Sequence, residues 1–182
     1  VYLIFDKDTI CQIGREDGVF EDITALFFLG ASIFFLRACI AHKNLFLLLL
    51  SLAMFVGSGE EISWGQRIFG FSTPAALNEV NVQGEFSLHN IEIFNGNYFD
   101  HSPKTGLAKL LTINLLYKLF WLGYGVFLPI AALYVRPVSL LSRRIRLPVP
   151  PLSIGAFFLV NWLVYKTVIS LFLSDNEVPQ YY

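Results

Sequence analysis

The segment that decides the fold is Asn44–Arg67, which reads NLFLLLLSLAMFVGSGEEISWGQR. Its purely apolar part covers only about 13 residues, whereas a helix needs about 20 predominantly apolar residues to cross a membrane. The segment reaches that length only by continuing through Ser58, Glu60 and Glu61. We therefore predict a membrane-spanning helix whose far end is polar and acidic.

Three other stretches are also long and apolar enough to span a membrane. Hydrophobic residues make up 55% of the chain, a composition typical of a protein whose solvent is mostly lipid. The sequence thus predicts an all-α, polytopic membrane helical bundle, with short interfacial helices in the polar segment Gly59–His101. In one transmembrane domain, the predicted spans are residues 23–41, 44–66, 107–135 and 151–173, with a cap formed by residues 67–105.

The distribution of charge predicts the orientation. The two short loops Arg37–Asn44 and Arg136–Leu147 contain basic residues and no acid. All 14 acids lie near the N-terminus, between Glu60 and Asp100, or in the C-terminal tail. Because Lys and Arg are enriched in cytoplasmic loops, both basic loops are predicted to be cytoplasmic, and the termini and the cap non-cytoplasmic.

The same composition bears on partners. The lipid bilayer is the expected partner, whereas the lack of a basic tract argues against nucleic acid. Val1–Phe5 is consistent with the end of a preceding helix or signal anchor. Cys11 and Cys39 fall on opposite sides of the predicted membrane, so we expect no disulfide between them.

Ionisable side chains at membrane depth are costly and indicate function. Glu60 and Glu61 lie at the end of the second span, Lys118 in the third and Lys166 in the fourth. All four are predicted in the outer part of the bilayer, where a Glu–Lys contact between helices is expected. The alternative is that each lysine extends to the outer headgroups.

The motif Gly59–Arg67 predicts a shared helix face. If the second helix continues, Glu60, Trp64 and Arg67 recur at i, i+4 and i+7. Glu60 and Arg67 are then too far apart for a close pair, so partners from other elements are expected. Thr73 is predicted to cap a short surface helix that begins at Pro74.

A second polar motif follows in the cap. If residues 85–94 are helical, Glu85 and His89 lie one turn apart, where they can ligate a cation or orient the imidazole for acid–base chemistry. A divalent metal is thus an open cofactor prediction, with His89 and Glu85 as ligands and Glu60 or Glu61 as a third. The alternative is a local salt bridge on an exposed helix.

The catalytic candidates are therefore Glu60, Glu61, Glu85 and His89. A wider set is assigned to substrate contact or to a structural network: Trp64, Gln66, Arg67, Asn81, Gln83, Asn90, Lys118 and Lys166. Asn81, Gln83 and Asn90 are equally typical of side chains that satisfy turns.

The motifs EDG (Glu16–Gly18), GEEISWGQR (Gly59–Arg67) and NxQGExxLHN (Asn81–Asn90) resemble those of a family of bacterial multi-spanning inner-membrane proteins whose activity is uncharacterised. The resemblance extends from about Arg15 to the fourth span. It implies a location in the bacterial inner (cytoplasmic) membrane, and it implies no reaction.

Two functional hypotheses follow. In the first, an outer-leaflet polar pocket acts on a lipid or another hydrophobic substrate. In the second, the protein is a non-catalytic accessory subunit of a larger membrane complex, such as an energy-transducing, photosynthetic or respiratory assembly. A channel or transporter is disfavoured because the chain has few spans, no internal repeat and no polar residues through the inner half of any span.

Overall fold

The structure is a computed structural model that describes residues 19–172 of the 182-residue chain. Within these residues every regular element is helical, and the only strand-like pairings are two isolated β-bridges. The all-α prediction is therefore confirmed for this part. The motif Glu16–Gly18, Cys11, the terminal segments and the last predicted residue of the fourth span lie outside the described residues. The chain divides into two compact units, residues 1–113 and 114–182.

The first unit begins with a helical hairpin of α1 (Val19–His42) and α2 (Leu45–Glu61). The connection is short because Lys43 adopts a left-handed conformation and Asn44 caps α2, its side-chain oxygen accepting a hydrogen bond from the Phe46 amide at 2.9 Å. Asn44, predicted as the first residue of the span, is thus the N-cap residue of α2.

Small residues hold the hairpin together. Ser32 and Ser51 exchange hydrogen bonds, each hydroxyl donating to the backbone carbonyl of the other at 2.9 and 2.8 Å. Ser58 donates to the Ala25 carbonyl at 2.9 Å, and Gly57 lies against the Phe28 ring. Because these side chains are short, the two backbones approach closely, as in many membrane helix pairs.

The second span does not continue as one straight helix. α2 ends at Glu61, and the chain turns by 67° into a 3₁₀ turn (Ser63–Gly65) and the short α3 (Gln66–Phe69). The predicted continuous helix over residues 44–66 is therefore wrong after Glu61. The cap contains one further short helix, α4 (Ala75–Asn78), and is otherwise irregular.

The cap is organised by backbone pairing instead of by the helix predicted over residues 85–94, which is wrong. Residues 80–82 run antiparallel to residues 90–92, with the Val82 amide bonded to the Asn90 carbonyl and the Glu92 amide to the Val80 carbonyl, both at 2.8 Å. A 3₁₀ turn (Gly106–Leu111) and the extended Thr112 then lead into the next helix. The candidate span in this region begins at Ile113, whereas the prediction begins it at residue 107.

The second unit is described by itself. Its elements are α5 (Ile113–Phe120, whose first residue belongs to the first unit), a π-helical segment (Trp121–Phe127), α6 (Leu128–Tyr134), α7 (Arg136–Arg144) and α8 (Leu152–Phe172). Pro129 has no N–H to donate to the residue four positions earlier, and a local π-helical adjustment is one way in which a helix satisfies the backbone groups that a proline leaves unpaired.

Two contacts pack the π-helical segment against α8. The Trp121 and Phe158 rings stack with their centroids 5.9 Å apart. Gly155 lies so close to Gly125 that an added Cβ would be 2.3 Å from the Gly125 carbonyl oxygen.

Among residues 19–172, two segments, Val19–His42 and Ile113–Tyr134, are long and apolar enough to cross a membrane. Leu45–Glu61 with Ser63–Phe69 is a third if the bent pair forms one span, and Leu152–Val164 is a shorter apolar stretch. Thus two to three candidate spans stand where four are predicted. They indicate an association with a membrane.

Candidate functional site

The site is built on the bend at the end of α2. Ser63, Trp64 and Gly65 have φ values of 46°, 52° and 80°, so three consecutive residues adopt the left-handed region. Such a conformation is strained for the first two and persists only where surrounding contacts hold it. Here it folds the Trp64 indole back over Gly59, where an added Cβ would lie 2.9 Å from the ring.

Glu60 is the centre of the site. Its Oε1 accepts a hydrogen bond from the Trp64 indole at 2.6 Å, and its Oε2 accepts from the backbone amides of Leu88 and His89 at 2.7 and 2.9 Å. The Glu60 side chain is only 14% exposed. One carboxylate therefore fixes both the bend and the middle of the cap. The predicted i, i+4 pair of Glu60 and Trp64 does meet, although no helix connects them.

His89 lies beside the same carboxylate. Its Nδ1 is 3.2 Å from Glu60 Oε2, and its side chain is 37% exposed. The hydrogen bond to Glu60 raises the pKa of His89 above its usual 6.5; the negative charges of Glu60, Glu85 and Glu61 add to this, and partial burial opposes it. The result is an oriented imidazole that favours the protonated form.

Glu85 has different partners from those predicted. Its Oε2 accepts hydrogen bonds from the Ser63 hydroxyl and from the Asn90 side-chain amide, both at 3.1 Å. The predicted Glu85–His89 pair one helical turn apart is therefore wrong, because residues 85–89 follow turns and bends and form no helix. The negative charge of Glu85 helps to raise the pKa of His89.

Two buried asparagines shape the cap. The Asn81 side-chain amide donates to the carbonyls of Glu85 and Ser87 at 2.8 and 3.1 Å, and its oxygen accepts from the amides of Gln83 and Gly84 at 3.0 and 2.8 Å. Asn90 is 2% exposed. Asn81 satisfies a turn, the alternative that the sequence left open, and Gln83 takes part through its backbone, whereas the Asn90 side chain binds the side chains of Glu85 and Asn95.

Gln66 fastens α3 to the cap. Its Oε1 accepts from the Phe86 amide at 2.7 Å, and its Nε2 donates to the Thr73 hydroxyl at 3.1 Å. Thr73 in turn donates to the Gly84 carbonyl at 2.6 Å. The predicted capping role of Thr73 is wrong, since Pro74 occupies the cap position of α4.

Arg67 and Glu61 face the start of α1. Arg67 Nη2 lies 3.9 Å from Glu21 and 3.8 Å from Asp22, so its partners come from another element, as expected. Glu61 is partly buried within electrostatic range of Glu21 and His89. These partly exposed pairs at nearly 4 Å contribute little stability individually.

Lys118 and Lys166 belong to the second unit. Lys166 Nζ lies 5.7 Å from the centre of the Trp162 ring, a cation–π contact within α8. Lys118 lies in the last turn of α5. Their pairing with Glu60 or Glu61 stays a prediction.

Sequence reasoning missed Ser63, Lys104 and Ser87. The Lys104 ammonium is buried, donates to the Glu92 carbonyl and lies 5.4 Å from the centre of the Tyr98 ring. The Ser87 hydroxyl is buried with no hydrogen-bond partner among the described residues. No periodic pattern marks these positions, because each depends on the irregular path of the cap.

Across residues 19–172 no group of three or more His, Cys, Asp or Glu side chains is arranged to hold a metal ion. Glu85 and His89 bind different partners, so this geometry lends no support to the predicted metal. What the arrangement offers chemically is a fixed carboxylate that orients one partly exposed imidazole.

No family model matches the sequence, and no curated protein or solved structure shows significant similarity to it. The class that the fold defines is an all-helical protein with candidate membrane-spanning helices.

Proposed function

We propose that the chain crosses the inner membrane of a bacterium four times, with α1, the bent α2–α3 pair, the Ile113–Tyr134 segment and α8 as its spans. The exposed aromatic side chains of α1, such as Phe27 (76%) and Phe34 (68%), support contact with lipid. The charge distribution supports cytoplasmic basic loops. The resemblance in motifs supports the bacterial origin.

Labelling with a membrane-impermeant maleimide tests this topology. In a background without Cys11 and Cys39, Glu79→Cys is expected to react in intact spheroplasts, and Arg144→Cys only after lysis. Both positions are exposed. Equal labelling of the two variants before lysis would overturn the proposed arrangement.

In this proposal the protein acts on a lipid or another hydrophobic substrate. Its acid–base site lies at the non-cytoplasmic face of the inner membrane. The observation that carries it is the hydrogen bond between Glu60 Oε2 and His89 Nδ1. A carboxylate on one ring nitrogen fixes the tautomer and orientation of a histidine and raises its basicity, and the second nitrogen can then exchange a proton with a substrate.

Glu61 is the second acid of the proposed site. It follows Glu60 at the end of α2 and lies within electrostatic range of His89. The remaining polar residues of the cap have positioning roles, because Asn81, Gln66 and Glu85 bind groups of the cap and the bend. No metal enters this proposal, since the Glu85 and His89 side chains bind different partners.

The lipid composition of expressing cells tests the proposed chemistry without a known substrate. Cells that produce the wild-type chain are compared by mass spectrometry of lipid extracts with cells that produce His89→Gln. The matched control is His42→Gln. His42 is the last residue of α1, at the end of the helical hairpin opposite to Glu60.

Wild type and His42→Gln are expected to change at least one lipid species relative to empty vector, and His89→Gln to lose that change at equal protein level. If wild type and His89→Gln give the same lipid profile, the acid–base role is wrong.

The second candidate is an accessory subunit of a larger membrane complex. It is favoured by the bonds that hold the cap to its neighbours, because Glu60 binds it to the end of α2, Glu85 to the bend and Gln66 to α3. Gentle solubilisation from native membranes distinguishes the two: consistent migration at the mass of a single chain would remove this candidate.

A further inference from the structure

The 3₁₀ turn Gly106–Leu111 is an exposed apolar segment at the end of the first unit. Each of its residues is exposed, and its sequence GLAKLL contains one charged side chain. Leu107 is 84% exposed, Leu110 51% and Leu111 49%. Large apolar side chains that are exposed together on one short segment mark a surface that contacts another apolar body.

Buried polar residues fix the turn at both ends. Before it, Lys104 is 6% exposed, and its ammonium donates a hydrogen bond to the Glu92 carbonyl. After it, Thr112 is 2% exposed, and the Ile113 amide donates to the Phe94 carbonyl at 2.8 Å. The turn is therefore held in place by the cap, and its exposure belongs to a formed structure.

The turn has an amphipathic arrangement of side chains. A 3₁₀ helix has three residues per turn, so residues i and i+3 share a face. The segment thus has two apolar faces and one face with a basic residue: Leu107 with Leu110, Ala108 with Leu111, and Gly106 with Lys109. A short segment of this kind can bury its apolar faces among acyl chains while its basic residue stays at the headgroups.

The position of the turn in the chain indicates which apolar body it contacts. Only Thr112 separates it from Ile113–Tyr134, a segment that is long and apolar enough to cross a membrane. The turn therefore lies where that segment would enter the bilayer. The four-carbon stem of Lys109 allows its ammonium to reach the headgroups from there.

We propose that the Gly106–Leu111 turn inserts into the membrane leaflet beside the cap. Leu107, Leu110 and Leu111 contact acyl chains, and Lys109 lies among the headgroups. Because the residues that flank the turn are bonded to residues 92–94, the inserted turn holds this part of the cap at the membrane surface. The proposal rests on the proposed crossing of the membrane by Ile113–Tyr134 and is independent of the acid–base chemistry.

Spin labels on single cysteines test the insertion in liposomes of phosphatidylethanolamine and phosphatidylglycerol. In the background without Cys11 and Cys39, labels are attached to Leu107→Cys and Leu110→Cys. The matched control is Lys109→Cys, from the third face of the same turn. All three positions are exposed, so a label fits without repacking the fold. Collisions are measured with oxygen, which concentrates in hydrocarbon, and with a nickel chelate, which stays in water.

Two further labels calibrate the measurement. Glu79→Cys is an exposed position of the cap and provides the aqueous reference. Leu119→Cys, at a side chain that is 56% exposed within Ile113–Tyr134, provides the lipid reference. The ratio of oxygen to nickel collisions at Leu107 and Leu110 is expected to approach that of Leu119. It should exceed the ratios at Lys109 and Glu79 severalfold.

Four results would overturn the proposal. Ratios at Leu107 and Leu110 equal to that of Glu79, with Leu119 in lipid, would place the turn in water and leave the four-span topology intact. Few collisions with either reagent would mean that protein covers the turn. An equally high ratio at Lys109 would place the whole turn in hydrocarbon, as part of the span. A low ratio at Leu119 would remove the insertion together with the proposed crossing.

Discussion

The substitution Glu60→Gln tests whether one carboxylate holds the cap on α2. Glutamine keeps the shape of the side chain but has one acceptor oxygen. If that oxygen takes the Oε2 position, it still accepts from Leu88 and His89, but its NH₂ group then faces the Trp64 indole N–H, which lies 2.6 Å from Oε1 in the wild type. The opposite rotamer sets the NH₂ group against two backbone amides.

The expected cost follows from these contacts. A hydrogen bond to a charged group contributes about 1.5–3 kcal/mol, and Glu60 is removed from most solvent. Glu60→Gln loses the indole bond outright and weakens those to Leu88 and His89, so we expect local opening of the cap to become easier by about 2–3 kcal/mol. That difference corresponds to an amide exchange rate about 30- to 150-fold faster.

Hydrogen–deuterium exchange with residue-level fragmentation measures this rate at the Leu88 and His89 amides in detergent. The control is Glu61→Gln, which removes the neighbouring carboxylate at the same helix end. Its effect on the two amides should stay below about fivefold, as for a partly exposed charge pair. Exchange in Glu60→Gln within fivefold of wild type would show that Glu60 does not hold this segment.

Four further predictions concern single contacts. Gly59→Ala places a Cβ 2.9 Å from the Trp64 ring and should lower the unfolding free energy in detergent by about 1–3 kcal/mol, whereas Gly57→Ala, at 3.5 Å from Phe28, should not; equal effects would contradict the close approach. Asn81→Asp sets an oxygen against the Glu85 and Ser87 carbonyls in a side chain that is 4% exposed, so it should lower the melting temperature more than Asn81→Ala does, and the reverse order would refute this assignment of donors. The pKa of His89 is raised above 6.5 in the folded state, so protonated His89 stabilises the fold. This stabilisation is fully present below pH 6.5 and is lost as the pH rises through the pKa that His89 has in the folded protein. The melting temperature should therefore fall between about pH 6 and about pH 9 by more in wild type than in His89→Gln, a comparison that cancels the other histidines; identical falls would count against it. Gly155→Ala places a Cβ 2.3 Å from the Gly125 carbonyl oxygen and should lower the unfolding free energy by about 1–3 kcal/mol, whereas Gly123→Ala, with open space around it, should be neutral by the same measurement; a neutral Gly155→Ala would contradict the packing of α8.

Much of the helical architecture could be predicted because a helix that lies in lipid needs a long run of apolar residues. Long apolar runs must satisfy their backbone groups within one segment, which favours helices, and these runs are directly visible in the sequence. The concentration of Glu60, Glu85 and His89 in one polar segment was visible in the same way. Of the residues proposed for chemistry, the structure brings Glu60 and His89 into direct contact.

The partners of these residues could not be predicted. Helical periodicity joined Glu85 to His89 and continued α2 through Trp64, and both interpretations are wrong because tertiary contacts prevail over local pattern there. The left-handed turn at Ser63–Gly65 is costly by itself, and tertiary contacts hold it: the Trp64 indole packs on Gly59 and binds Glu60, and the Ser63 hydroxyl binds Glu85.

By itself, the sequence determined that residues 19–172 are helical in their regular elements, that some of these helices are apolar enough for a membrane, and that a polar segment with six acids begins at the end of α2. Only the tertiary structure decided which acid meets the histidine. The physical reason is that the irregular cap leaves the Leu88 and His89 amides without helical acceptors, and Glu60 supplies them. These hydrogen bonds join residues that are far apart in the chain, so no local periodicity in the sequence indicates them.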